Sequence, residues 1–173
     1  MIRPCTDADI PLMASIVNDA ARAYSGVVPA DCLHDPYMPE SELRAEIAEG
    51  VRFSGWDDAG TLVGIMGIQK VKDVTLIRHA YVSPGRQRRG IGGRLLDELV
   101  ERSAGRVLVG TWAAATWAID FYRRHGFGLA ATVEEKNRLL DTYWTIPSRQ
   151  RDNSVVLELA RPQAAIRASG AGT

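Results

Sequence analysis

The segment Val82-Ser83-Pro84-Gly85-Arg86-Gln87-Arg88-Arg89-Gly90-Ile91-Gly92-Gly93-Arg94-Leu95-Leu96 constrains this chain more than any other. An apolar, strand-like run ends at a turn, a short basic loop follows, and a helix opens on glycines. Glycine lets a backbone approach a ligand closely and takes φ values closed to other residues. The first amides of a helix have no intrahelical acceptor and sit at the positive end of its dipole. With Arg86, Arg88, Arg89 and Arg94 nearby, those amides form an anion site suited to a phosphate or pyrophosphate.

Three glycine-rich patterns compete for this loop. A nucleotide P-loop needs G-x-x-x-x-G-K-[ST], which is absent, and a dinucleotide fingerprint needs G-x-G-x-x-G. Gly90 and Gly92 supply its first two glycines, but Leu95 stands where the third belongs. The third pattern, Q/R-x-x-G-x-G after a strand, is met at every position by Gln87-Arg88-Arg89-Gly90-Ile91-Gly92. The bland alternative is a glycine-containing turn before a surface helix with solvated arginines. A second segment weighs against it. After the apolar run Val107-Leu108-Val109 come Trp117, Phe121 and Tyr122 at helical spacing, with Gly126 where a helix end favours a left-handed residue. The tail Ala118-x-x-Phe121-Tyr122-x-x-x-Gly126-Phe127 fits A-x-x-F-Y-x-x-x-G-F. With both motifs in this order and spacing, the chain resembles the GNAT superfamily of acyl-CoA N-acyltransferases.

The resemblance implies an α/β (α+β) GNAT fold over residues 1–160. Its centre is a mixed, mostly antiparallel, twisted sheet of about seven strands. About four helices flank the sheet, which splays at the cofactor site. It implies acetyl-CoA as co-substrate and no metal. Backbone groups of Ala80, Tyr81 and Val82 would hold the pantetheine arm and polarise the acyl carbonyl. The loop residues Gln87, Arg88, Arg89, Gly90, Ile91, Gly92 and Gly93 would bind the pyrophosphate. Tyr122 matches the tyrosine that protonates the departing sulfur. Many relatives carry Asn three residues before the helical alanine; this chain has Ala115 there, and Thr116 or Thr111 would substitute. Direct transfer, the usual family mechanism, leaves Cys5 and Cys32 without a catalytic role. Some relatives use a strand Glu as base, yet Thr75-Leu76-Ile77-Arg78-His79-Ala80-Tyr81 has no carboxylate. His79 is the candidate in its place, because imidazole titrates near neutrality; the competing reading makes it a packed or substrate-contacting side chain. Asp73, Glu42 and Glu46 are weaker candidates, and a chain of waters would also serve.

Apart from the motifs, a helix carries Ile10, Met13, Ile16, Val17 and Ala20, and residues 24–38 are rich in turns. A second helix spans 43–48 and strands cover 51–56, 61–69 and 74–82. The glycine-loop helix covers 91–103. A strand is expected at 128–132, a short helix at 134–140, a loop at 142–153 and a last strand at 155–159. Residues 161–173 read as a flexible tail. His34, Tyr37, Trp112, Tyr143 and Trp144 mark two regions that often form the acceptor pocket in this fold, against the plain alternative that they fill the core. Lys plus Arg and Asp plus Glu both number 21, so there is no global basic field for nucleic acid. Cys5 and Cys32 lack metal-ligand spacing. No run is long and apolar enough for a membrane span and no signal pattern opens the chain, so the expected location is cytoplasmic. The expected activity is acetyl transfer from acetyl-CoA to a primary amine of a small molecule. A protein amino group as acceptor and a non-catalytic acyl-CoA sensor are the alternatives; a homodimer is open, and the residues do not name the acceptor.

Overall fold

The computed structural model describes residues 1–160; the tail expected at 161–173 lies outside the described residues. Seven strands form one sheet in the order β1 (Ile2–Pro4), β2 (Arg52–Asp58), β3 (Thr61–Val71), β4 (Val74–Val82), β5 (Arg106–Trp112), β7 (Ser154–Leu159) and β6 (Phe127–Leu129). All neighbours are antiparallel except β4 and β5. Among the described residues there are six helices: α1 (Ile10–Ala21), α2 (Glu40–Ala48), α3 (Ile91–Glu101), α4 (Thr116–Arg124), α5 (Val133–Tyr143) and α6 (Ser148–Asp152).

Strand alternation sends each strand's apolar side chains to two cores. Val107 and Val109 of β5 point to one face, where Leu95, Leu96 and Leu99 of α3 and Tyr122 of α4 cover them. Leu108 points the other way, with Val74, Leu76 and Val156, onto Leu139 and Leu140 of α5. Beside α5, the helices α1 and α2 bring Ile10, Met13, Val17 and Leu43 onto Val51, Phe53 and Ile65. Each leucine fully removed from water contributes about 1.5–3 kcal/mol, so both layers are held chiefly by apolar burial.

Two irregularities make room for a site. First, β4 and β5 pair only from Val74↔Arg106 to Ile77↔Val109. Beyond Ile77 the two strands diverge, β5 continues on β7, and the β5 side of β4 has no strand partner. Second, the β3–β4 register slips between Ile65↔Tyr81 and Gly67↔Arg78, so His79 and Ala80 together face Met66. His79 takes φ +48 in this bulge, a left-handed setting that costs a non-glycine residue about 1–2 kcal/mol. The inserted residue reverses the alternation, and Arg78, His79 and Tyr81 all reach one cavity on the α2 face. Gly67 is part of the same device. A Cβ there would lie 2.8 Å from Val51 and 3.0 Å from Phe53, and Phe53 uses the space to stack on His79 at 5.9 Å.

The late elements differ from expectation. The strand expected at 128–132 is Phe127–Leu129, because Thr132 caps α5 by accepting from the Glu135 amide at 3.1 Å. That helix runs to Tyr143, past 140, and the expected loop at 142–153 contains α6. Of these two helices α5 was expected, though shorter, and α6 was not, which brings the helices among the described residues to six.

Candidate active site

The glycine loop joins β4 to α3. Gly90 caps the helix at φ +76, and a Cβ on it would meet nothing within 4 Å. Arg88, at φ +61, is also left-handed. Among the described residues the amides of 88 to 93 donate to no backbone or side-chain acceptor, so successive N–H groups stand ready for an anion. Arg86 is tied to Asp58 at 2.6 Å and Arg94 lies over the Trp56 ring at 5.4 Å. Arg88 and Arg89 are exposed and have no ion pair among the described residues. Gln87 donates to the Val82 carbonyl at 3.0 Å, fixing the strand-to-loop corner. Ile91 packs into the core. Gly92 lies against Phe121 at 3.5 Å for a built Cβ, and Gly93 against His125 at 2.9 Å, so Gly93 also lets α3 approach α4.

Tyr122 projects from α4 into the core between Phe121 and Phe127 and is 5% exposed. Its hydroxyl has no hydrogen-bond partner among the described residues. Burial pushes its pKa well above the ordinary tyrosine range, and nearby Tyr24 adds to the effect. Thr116 opens α4 and is exposed, whereas Ala115 is fully buried among Tyr24, Val28 and Trp112.

On the opposite side of the splay lies a cavity of about 540 Å³. His79, Glu46 of α2, Tyr24, Tyr37, Tyr81 and Trp112 are among its walls. The His79 Nε2 is in short hydrogen-bond contact with Glu46 Oε2, with which Arg78 Nη2 also forms an ion pair at 3.1 Å. Burial alone pushes Glu46 up, but His79 and Arg78 outweigh it and hold the carboxyl below its usual range. Glu46 is therefore an anion at neutral pH. Burial pushes Tyr24 up to about 12, with Tyr37 adding and the Tyr81 hydrogen bond opposing. Of the five residues that sequence marked for this region, His34, Tyr37, Trp112 and Trp144 line the cavity. Tyr143 does not; it donates to Asp73 at 2.7 Å by the β3–β4 turn, which removes both from the site.

A family model for the acetyltransferase (GNAT) family matches residues 13–127. The chain belongs to this family. Over 102 residues, 57% of its length, this GNAT protein is 30% identical to the UPF0157 protein YqkA of Bacillus subtilis (strain 168), and the match spans 30% of that relative's length. Its fold is similar to that of the PaiA N-acetyltransferase of Thermoplasma acidophilum solved with coenzyme A. The TM-score is 0.70 at 15% identity, covering 93% of this chain and 98% of the other. It is also similar to the ribosomal-protein-S18-alanine N-acetyltransferase of Escherichia coli, with TM-score 0.66, 19% identity, and coverage of 95% and 97%.

Within this GNAT site, sequence reasoning passed over Tyr24, Arg78 and Arg149. Tyr24 sits in a single 3₁₀ turn (Arg22–Tyr24) after α1 and meets Tyr81 at 3.3 Å. Arg149 of α6 pairs with Asp31 at 2.7 Å across the cavity mouth. Nothing local marks either residue, since each partner lies far along the chain. Among the described residues, no group of three or more His, Cys, Asp and Glu is arranged to hold a metal, and no helix is long and apolar enough to cross a membrane.

Proposed function

We propose that this protein is an N-acetyltransferase that moves an acetyl group directly from acetyl-CoA to the primary amine of a small molecule. One observation carries the reading. The strand β4 that loses its β5 partner beyond Ile77 carries the glycine loop with the unpaired amides of residues 88–93 at its end and contributes His79 to the His79–Glu46 cavity, while the Tyr122 hydroxyl has no hydrogen-bond partner among the described residues. A pyrophosphate fits the loop, because a side chain at Gly90 would stand in otherwise open space and Arg88 and Arg89 have no competing partner. Acetyl-CoA supplies the thioester. The partnerless edge of β4 over Ala80, Tyr81 and Val82 offers backbone groups to the extended arm, and Thr116 is the side chain of α4 assigned to the same ligand.

His79 takes the proton of the amine, and Glu46 orients the imidazole and stabilises its cation. The nitrogen forms a bond to the acetyl carbon, the carbon–sulfur bond breaks, and Tyr122 gives its proton to the sulfur. Preorganised donors act on the carbonyl oxygen as charge develops. The cavity's volume of about 540 Å³ supports a small acceptor. Cys5 and Cys32 are unbridged, in keeping with a cytoplasmic setting.

Thiol release from acetyl-CoA in the presence of an amine panel tests this reading. Amine-dependent release supports it. Binding of acetyl-CoA without release on any amine would point instead to a sensor, and absence of acetyl-CoA binding would remove the reading altogether.

A further inference from the structure

The glycine loop carries one glycine more than its pattern asks for. Q/R-x-x-G-x-G ends at Gly92, yet Gly93 follows as the third residue of α3. His125 occupies the space beside its missing side chain. A Cβ at position 93 would lie 2.9 Å from Cε1 and 3.2 Å from Nε2 of that imidazole. His125 itself falls at an unspecified position of A-x-x-F-Y-x-x-x-G-F, at the end of α4. Neither motif accounts for these two residues, and their contact accounts for both.

The ring has a fixed direction. Side-chain bonds on a helix tilt toward its N-terminus, so the Cε1–Nε2 edge against Gly93 lies by the first turn of α3. Nδ1 turns toward Asp97, one helical turn further on, at 3.4 Å from Oδ1. Phe121 holds the ring from the α4 side, with the ring centroids 4.8 Å apart. Nε2 is thereby carried to the border of the free amides of residues 88–93, and it has no hydrogen-bond partner among the described residues. The side chain is 27% exposed, so a ligand can reach it. A carboxylate at one nitrogen and a phosphate at the other are both served by the doubly protonated ring, in which each nitrogen is a donor.

We propose that His125 is a coenzyme A ligand, its Nε2 donating to the pyrophosphate seated on the glycine loop, with Asp97 positioning the imidazole. This rests on the loop's role in the reading above and adds to it a side-chain contact from α4. Gly93 is then a glycine because any side chain there would displace the ring.

Calorimetry on the full chain separates the two levels. Coenzyme A is titrated into the wild type first; if it does not bind, the reading of the loop itself fails and the His125 contact goes with it. Once binding is seen, His125→Ala should weaken it on the order of 10-fold, the scale of one charge-assisted hydrogen bond. Dephospho-coenzyme A, which keeps the pyrophosphate and lacks the 3′-phosphate, should show the same ratio. His125→Phe keeps a flat ring for Gly93 and Phe121 to pack on but has no donor, so its loss should match that of His125→Ala. Asp97→Asn, a change at an exposed side chain, should cost about 3-fold. Raising KCl from about 0.05 to about 0.5 M should narrow the gap between wild type and His125→Phe, because salt screens an ionic contact and leaves packing alone. Unchanged affinity in His125→Ala or Asp97→Asn, recovery in His125→Phe, a loss that disappears with dephospho-coenzyme A, or a gap indifferent to salt would overturn the assignment while wild-type coenzyme A binding stands.

Discussion

A phenol that protonates a departing thiolate must itself arrive protonated. For Tyr122, proposed for this role, burial raises the pKa above the ordinary value near 10. Tyr122→Phe keeps the ring and removes only the donor, so kcat should fall on the order of 10²-fold, the scale of a lost general acid, with acetyl-CoA affinity little changed by calorimetry. Because the shift is upward, the wild-type rate should show no loss from this group below about pH 10; an alkaline limb near 8 that Tyr122→Phe abolishes would contradict the assignment. For His79, His79→Ala should lower kcat on the order of 10²-fold, the scale of a lost general base, with acceptors of different amine pKa alike. Glu46→Gln should lower kcat more than it raises KM, which a purely structural role would not do. The positions of Gly90 at the head of α3 and of Tyr122 on α4 were legible because each depends on a local pattern. The partner of His79 was not. The strand lacks a carboxylate, and the one that meets the imidazole comes from α2, 33 positions earlier.

The loop and its helix make a separable unit. A valine at position 90 would need a left-handed β-branched residue, at a strain of order 1–3 kcal/mol, yet its Cβ would meet no protein atom within 4 Å. Gly90→Val should therefore abolish coenzyme A binding in calorimetry while circular dichroism reports a folded chain. Retained affinity would unseat the loop as the phosphate site. Elements with long, regular apolar patterns, such as β3, β4 and α3, could be read directly from sequence. The region from 128 to 153 resisted because small shifts of capping decide it: Thr132 takes the α5 cap from what looked like strand, and Ser148–Asp152 is too short to show a period. The bulge at His79 was invisible for a related reason, since an extra strand residue leaves the composition unchanged.

At the scale of the whole molecule, the N-terminal strand is fastened by charge. Arg3 binds both oxygens of Asp9, at 2.8 and 2.9 Å, and reaches Asp57 of β2 at 3.1 Å. The Arg3 hydrogen bonds hold the Asp9 carboxyl well below its usual range, against opposing burial and with help from Thr6. A depressed folded pKa gives stability that is present above the unfolded value near 3.9 and is lost as pH falls through the folded one. Asp9→Asn should thus lower unfolding free energy by about 1–2 kcal/mol at neutral pH, and the gap in urea titrations should close as pH drops below about 4. A gap that stays constant into acid would assign the loss to packing. The splay between β4 and β5 has a consequence for how molecules of this protein treat one another. An unpaired strand edge normally invites strands from neighbouring chains. Here the bare edge lies in the middle of the sheet, on the β5 side of β4. Its unpaired backbone groups are therefore set back from the outer margins of the sheet, where strands of other chains add.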